Sequence, residues 1–262
     1  MTGRPARSVY GSAVGLHPLA ARFAEVAGEY ERGRPDYPPA VVGAIAAELG
    51  IPPGARVLDL AAGTGKLTRA LLGMGLDVVA VEPQPSLREI LATAVGSERV
   101  REGVAEAIPL PDSSVAAVMV SDAFHWFDRA LALQEIRRVL RPRGGLAILS
   151  TVPDWGGASW AHELGTLIIS LRPEHPHFDG PPWQDFVRAS EGWTAPREIR
   201  VTTQQPATAD RVLDHIASIS WIAALPQNRR AETLAQVAGI VRAGDTPPQL
   251  PLHVVVGLTA LD

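Results

Sequence analysis

Val57-Leu-Asp-Leu-Ala-Ala-Gly-Thr-Gly65 joins a short apolar run, residues 56–60, to a glycine loop and then to a helix-like stretch, residues 66–72. A run that short reads as a buried strand, and a glycine loop lets backbone approach a ligand at the unpaired N–H groups of a helix N-terminus. The alternation continues downstream. Asp77-Val-Val-Ala-Val-Glu82 reads as a second strand, followed by a helix over 86–95, a third strand over 99–104 and a fourth over 115–121. A helix over 131–140 and a fifth strand over 145–150 follow. Continuous apolar strands between amphipathic helices predict an α/β fold whose mostly parallel sheet is covered on both faces. Beyond residue 150 the spacing predicts helices over 159–171, 183–190, 208–219 and 228–243, and strands over 198–203 and 253–259. Upstream, a helix over 18–31 is broken by three prolines within 32–39, and a helix over 41–49 ends at Gly50. Residues 1–15 read as a loose tail.

The 262 residues carry a formal net charge of −4 and are 46% hydrophobic, in the range of an ordinary globular chain. A mildly acidic chain has no electrostatic footprint for a phosphate backbone, so no nucleic-acid partner is expected. The one dense basic group, Arg137, Arg138, Arg141 and Arg143, falls at a predicted helix end, where cations complement the dipole. Cysteine is absent, which excludes disulfides and thiolate chemistry and fits a reducing cytoplasm. No signal-peptide core and no run of ~20 apolar residues is found, so a cytoplasmic chain without membrane association is expected.

Residue chemistry separates three readings of the glycine loop. A P-loop needs a glycine at position 60 and a hydroxyl at 67, but both are leucine. A dinucleotide fingerprint needs a third glycine, and that position is Thr68, which disfavours NAD. S-adenosylmethionine needs a glycine loop beside its methionine end and an acid for its ribose diol. Glu82 follows Asp59 by 23 residues, the spacing of a ribose-binding acid.

The loop, together with Val79-Ala-Val-Glu82, Ala105-Glu-Ala-Ile-Pro-Leu-Pro-Asp112, Phe124-His-Trp-Phe-Asp128 and Arg138-Val-Leu-Arg-Pro-Arg-Gly-Gly145, resembles the successive motifs of class I S-adenosylmethionine-dependent methyltransferases, in the group called methyltransferase type 11. Tyr30-Glu-Arg-Gly-Arg-Pro-Asp-Tyr-Pro38 is similar to a segment of the trans-aconitate methyltransferase-like branch. The resemblance implies a Rossmann-like sandwich with a seven-stranded, mostly parallel sheet and an antiparallel last strand. It implies that Asp59, Ala61, Gly63 and Gly65 line the methionine end and that Glu82 takes the ribose hydroxyls. Ala105 and Glu106 would meet adenine, with Ser121 and Asp122 beneath the sulfonium. Ala61 stands where many relatives carry a glycine, which keeps the side chain small. Leu149-Ser-Thr151 departs from the branch on the substrate side.

Methyl transfer needs alignment and dryness rather than a nucleophilic side chain. His125, past the fourth strand, is the candidate base for an oxygen or nitrogen acceptor, a carboxylate acceptor needing none; its alternative role is to support the pocket wall. His175 and His177 read as a solvated proline-rich loop rather than a metal site. Trp126, Trp155 and Trp160 are candidates for a substrate wall, whereas Trp183, Trp193 and Trp221 read as packing. Tyr30 and Arg34 would form a lid, or a rigid connector. The expected organisation is a tail and lid over 1–40, a cofactor-binding core over 41–150 and substrate-side helices with closing strands over 151–262. The function expected is methylation of a small molecule. A non-methylating cofactor-binding relative and an NAD-linked oxidoreductase are the alternatives.

Overall fold

The computed structural model describes residues 16–156, 159–206, 208–243 and 249–262; the expected tail over 1–15 lies outside them. In chain order the elements are α1 (Pro18–Ala21), α2 (Ala27–Gly33), α3 (Pro39–Leu49), β1 (Arg56–Leu60), α4 (Lys66–Gly73), β2 (Asp77–Val81), α5 (Pro85–Val95), β3 (Val100–Arg101), β4 (Val115–Ser121) and α6 (Arg129–Val139). They continue with β5 (Leu140–Pro153), α7 (Ser159–Ser170), α8 (Pro176–Asp179), α9 (Trp183–Ala189), β6 (Arg197–Pro206), α10 (Ala209–Ala217), α11 (Ser220–Ala223), α12 (Gln227–Ala243) and β7 (Gln249–Ala260).

The strands form one seven-stranded sheet in the order β3-β2-β1-β4-β5-β7-β6. β1 to β5 pair in parallel, and β7 runs antiparallel to both β5 and β6. β1 and β4 sit centrally and are buried along almost their whole length, which is why their sequences are continuously apolar. One face packs Leu58, Val79, Val118 and Leu146 against Leu133 and Ile136 of α6. The other packs Val57, Val78, Met119 and Val256 against Ile45 of α3 and Leu67 and Leu71 of α4. A third cluster joins α7, α10 and α12 beyond the sheet's carboxyl end, around Leu164, Ile216 and Val237.

Three expectations are corrected. The helix over 18–31 is interrupted: Val26 leaves helical backbone (φ −125°, ψ 25°) and is buried, and the turn brings Phe23 edge-on to Tyr30 at 5.7 Å. The third strand is only Val100–Arg101: a 3₁₀ turn occupies Ser97–Arg99 before it, and after it the chain turns back on itself where Val104 bridges Ala107. The last strands are longer than their alternation predicts. Residues 151–153, 204–206 and 249–252 extend the pairing past the expected ends and carry the helices beyond the sheet. No helix among the described residues is long and apolar enough to cross a membrane.

Candidate active site

The carboxyl ends of β1, β2 and β4 open into a cavity of about 1200 Å³. Open parallel sheets bind ligands at this edge, and the volume exceeds the roughly 300–1,000 Å³ of an ordinary pocket, leaving room for two molecules. The residues expected at the cofactor site divide into two groups. Ala61, Gly63, Glu82, Ala105, Glu106, Ser121 and Asp122 line the cavity. Asp59 and Gly65 do not. Asp59 is fully buried beneath the loop, where its Oδ2 accepts the Thr68 hydroxyl at 2.6 Å and its Oδ1 has no partner. Burial pushes its carboxyl up to about 7. Gly65 (φ 89°) turns into α4 with its Cα against α5, where a Cβ would stand 2.6 Å from Leu91. Both shape the loop from below.

Glu82 is the anchored acid of the cavity wall. Its Oε2 accepts the Gly63 N–H and its Oε1 the Gln84 N–H, each at 2.9 Å. Burial raises its pKa, and the two N–H donors oppose that shift. Glu106 accepts the Asp128 N–H at 2.8 Å, tying the loop after β3 to the start of α6. Asp122, in left-handed backbone (φ 50°), accepts the Thr151 N–H at 2.9 Å and the Tyr37 hydroxyl at 3.1 Å. Tyr37 is a site residue that sequence reasoning missed. It lies inside the quoted N-terminal motif, but no local pattern shows that its hydroxyl reaches 85 positions along the chain.

The N-terminal segment crosses the cavity. Tyr30 lines it beside Gly63, and burial pushes its phenol up to about 12. Arg34 lines it too, 5.3 Å from the Tyr30 ring, and donates to Ser218 through Nε (2.9 Å) and Nη2 (3.2 Å). Lys66 of α4 is buried and pairs with Asp36 at 3.0 Å; Arg69 pairs with Glu31 at 2.9 Å. The segment is therefore strapped to the glycine-loop helix on one side and to α10 on the other.

On the far wall His125 follows β4 in a short 3₁₀ turn, with its ring 4.5 Å from Trp126, 4.8 Å from His177 and 5.4 Å from His175. Burial, then the neighbouring His177, His175, Arg129 and His17, holds its pKa well below the ordinary imidazole value. His175 is not a solvated loop residue: it is buried, its Nδ1 accepts the His177 N–H, and its Nε2 pairs with Ser220. No group of three His, Cys, Asp or Glu suited to a metal occurs among the described residues. Trp126 and Trp155 line the cavity. Trp160 does not, being buried among α7, α10 and α12, whereas Trp221, read as packing, does.

The fold and this edge site define a Rossmann-like, nucleotide-type binding protein, and comparison with known proteins narrows the class. A sequence family described as "Methyltransferase domain" matches residues 58–148. An uncharacterised methyltransferase of Mycobacterium tuberculosis is 40% identical over 220 residues, covering 84% of this chain and 85% of that one. One from Schizosaccharomyces pombe is 30% identical, covering 82% and 84%. A solved structure from Anaeromyxobacter dehalogenans, assigned as a type II methyltransferase, superposes with a TM-score of 0.55 at 24% identity, over 87% of this chain and 97% of that one. The chain belongs to the class I S-adenosylmethionine-dependent methyltransferases.

Proposed function

We propose that this enzyme holds S-adenosylmethionine along the carboxyl ends of β1, β2 and β4 and methylates a small molecule seated beside His125. The observation that carries the reading is the anchored carboxylate of Glu82. Each oxygen accepts one backbone N–H and keeps a second lone pair, so a ribose diol meets an acceptor oriented before binding. Ala61 and Gly63 then face the methionine end, Ala105 and Glu106 the adenine, and Ser121 and Asp122 the sulfonium. Tyr30 and Arg34 cover the site, with Trp126 and Trp155 on the acceptor side. On this reading residues 1–40 supply the cover, 41–150 the cofactor core and 151–262 the acceptor side.

When bound, the cofactor supplies a methyl carbon made electrophilic by its sulfonium. The protein's part is to align the acceptor lone pair with that carbon and to exclude water. An O–H or N–H acceptor must also lose a proton, and His125, kept neutral by burial, takes it and returns it to solvent.

Calorimetric titration with S-adenosylmethionine, S-adenosylhomocysteine and NAD tests the cofactor site. Micromolar binding of the first two, abolished by Glu82→Ala, is expected; silence with both, or preference for NAD, sinks the reading. Once an acceptor is in hand, His125→Gln should lower kcat on the order of 10²-fold while S-adenosylhomocysteine affinity holds. Because the His125 pKa is held well below 6.5, the wild-type kcat/KM should stay level as pH falls through 6.5 and decline only as pH nears that lowered pKa. An unchanged kcat would leave His125 as a wall residue only.

A further inference from the structure

The acceptor side of the cavity has a chemistry of its own, and it rests on the methyltransferase reading above. Leu16, Leu131, Val152, Ile169 and Phe178 are five of the six large apolar side chains left exposed among the described residues, and all five line this one cavity. Scattered exposed apolar residues need no explanation, but their concentration around one opening marks a binding surface. Rings deepen the wall. His175 touches Trp126, Phe178 and Trp221 at centroid distances of 4.8, 5.5 and 5.3 Å, and His17 meets Trp126 at 4.9 Å.

Charge is missing from the same wall. Among the described lining residues the cations are Arg34 and Arg172. Arg34, hydrogen-bonded to the neutral Ser218, lies over Tyr30 at the glycine-loop end, and Arg172 pairs with Asp179 at 2.8 Å over the Phe178 ring. The lining carboxylates Glu82, Glu106, Asp122 and Asp128 belong to the loops at the strand ends, and each already accepts a backbone N–H. Beyond residue 150, Arg172 is the only charged side chain described on the wall. A carboxylate guest among the Trp126, Phe178 and Trp221 rings would thus lose water beside an arginine already paired with Asp179, a costly exchange. Polar contacts do remain. The ring nitrogens of His175 are engaged, whereas no hydrogen bond among the described residues engages those of His125 or His177, whose rings lie 4.8 Å apart. Neutral imidazole both donates and accepts, which suits one hydroxyl on an otherwise apolar body.

We infer that the methyl acceptor is an uncharged, largely apolar ring compound bearing a hydroxyl, held between the Trp126–Phe178–Trp221 rings and the His125–His177 pair. In the transfer the hydroxyl oxygen forms the new bond to the methyl carbon, the carbon–sulfur pair stays with sulfur, and the hydroxyl proton passes to His125.

The test is calorimetric titration of the full chain, saturated with S-adenosylhomocysteine, with 2-naphthol and with 2-naphthoate, which match in shape and differ in charge. The neutral probe should bind at least tenfold tighter. Phe178→Ala and Trp221→Ala should each weaken it at least fivefold while S-adenosylhomocysteine affinity stays within twofold, which also certifies that the variants fold. Equal or tighter binding of naphthoate, absent naphthol binding, or indifference of both variants would overturn the inference. Failure of wild type to bind S-adenosylhomocysteine would instead overturn the cofactor reading beneath it.

Discussion

At the scale of single residues, Ala61 is the strained position of the glycine loop. Its backbone sits in the left-handed region (φ 57°), which an L side chain enters at a cost of roughly 1–2 kcal/mol. The small side chain seen in the sequence therefore does not make the replacement of glycine benign, since the cost lies in the backbone. Ala61→Gly should relieve that strain while adding about 0.4–1 kcal/mol of unfolded-chain entropy. A net gain of about 0.5 kcal/mol follows, read as a rise in Tm of roughly 1–2 °C. An unchanged or lower Tm would show that the loop holds the left-handed turn without strain. Thr68 makes a related point: the residue that removes the dinucleotide fingerprint uses its hydroxyl to hold Asp59 under the loop.

At the scale of elements, the cover over the site depends on a close crossing of α2 and α10. A Cβ on Gly33 would fall 2.1 Å from the His215 backbone nitrogen, so the two helices touch backbone to backbone. Arg32 secures the crossing through Asp214 at 2.8 Å, and Arg34 through Ser218. Exposed ion pairs of this kind contribute little, whereas the backbone approach cannot be relaxed without moving a helix. Gly33→Ala should cost about 1–3 kcal/mol in chemical denaturation and weaken S-adenosylhomocysteine binding, because Tyr30 and Arg34 shift with α2. Retained affinity and stability would show that the cover moves freely of α10.

At the scale of the molecule, buried imidazoles set an acid limit. His215 of α10 is buried against Gln205, and burial holds its pKa at about 3 against an ordinary 6.5. Between those values the unfolded chain binds a proton that the folded chain refuses, so stability falls as pH drops below 6.5. His175, lowered to about 4, acts in the same direction. Asp59, raised to about 7, acts oppositely, because the folded state keeps a proton that the unfolded state releases. Comparing wild type with His215→Gln isolates one histidine. The variant's stability, measured by urea denaturation from pH 6.5 to 4.5, should fall less steeply, by up to ~1.4 kcal/mol per pH unit. Equal slopes would place the proton uptake elsewhere.

The sequence by itself determined the alternation of strands and helices, the bounds of β1 and β4, the glycine loop and the acid that closes β2. These follow from chemistry within a few residues: apolar runs that must be buried, glycines that turn, prolines that stop helices. The antiparallel last strand was legible only through resemblance to a family, since no local period encodes which way a strand enters a sheet. Tertiary structure alone decided what the cavity wall is made of. Asp59 and Gly65 belong to the legible motif yet turn away from the cavity, and Phe178 and Trp221 face it without any motif on the acceptor side. Trp160 and Trp221 exchange the roles their positions suggested. The contacts that close the site, Tyr37 to Asp122 and Arg34 to Ser218, join residues 85 and 184 positions apart. Such contacts depend on how helices pack beyond the sheet, and side-chain spacing along the chain carries no record of that packing.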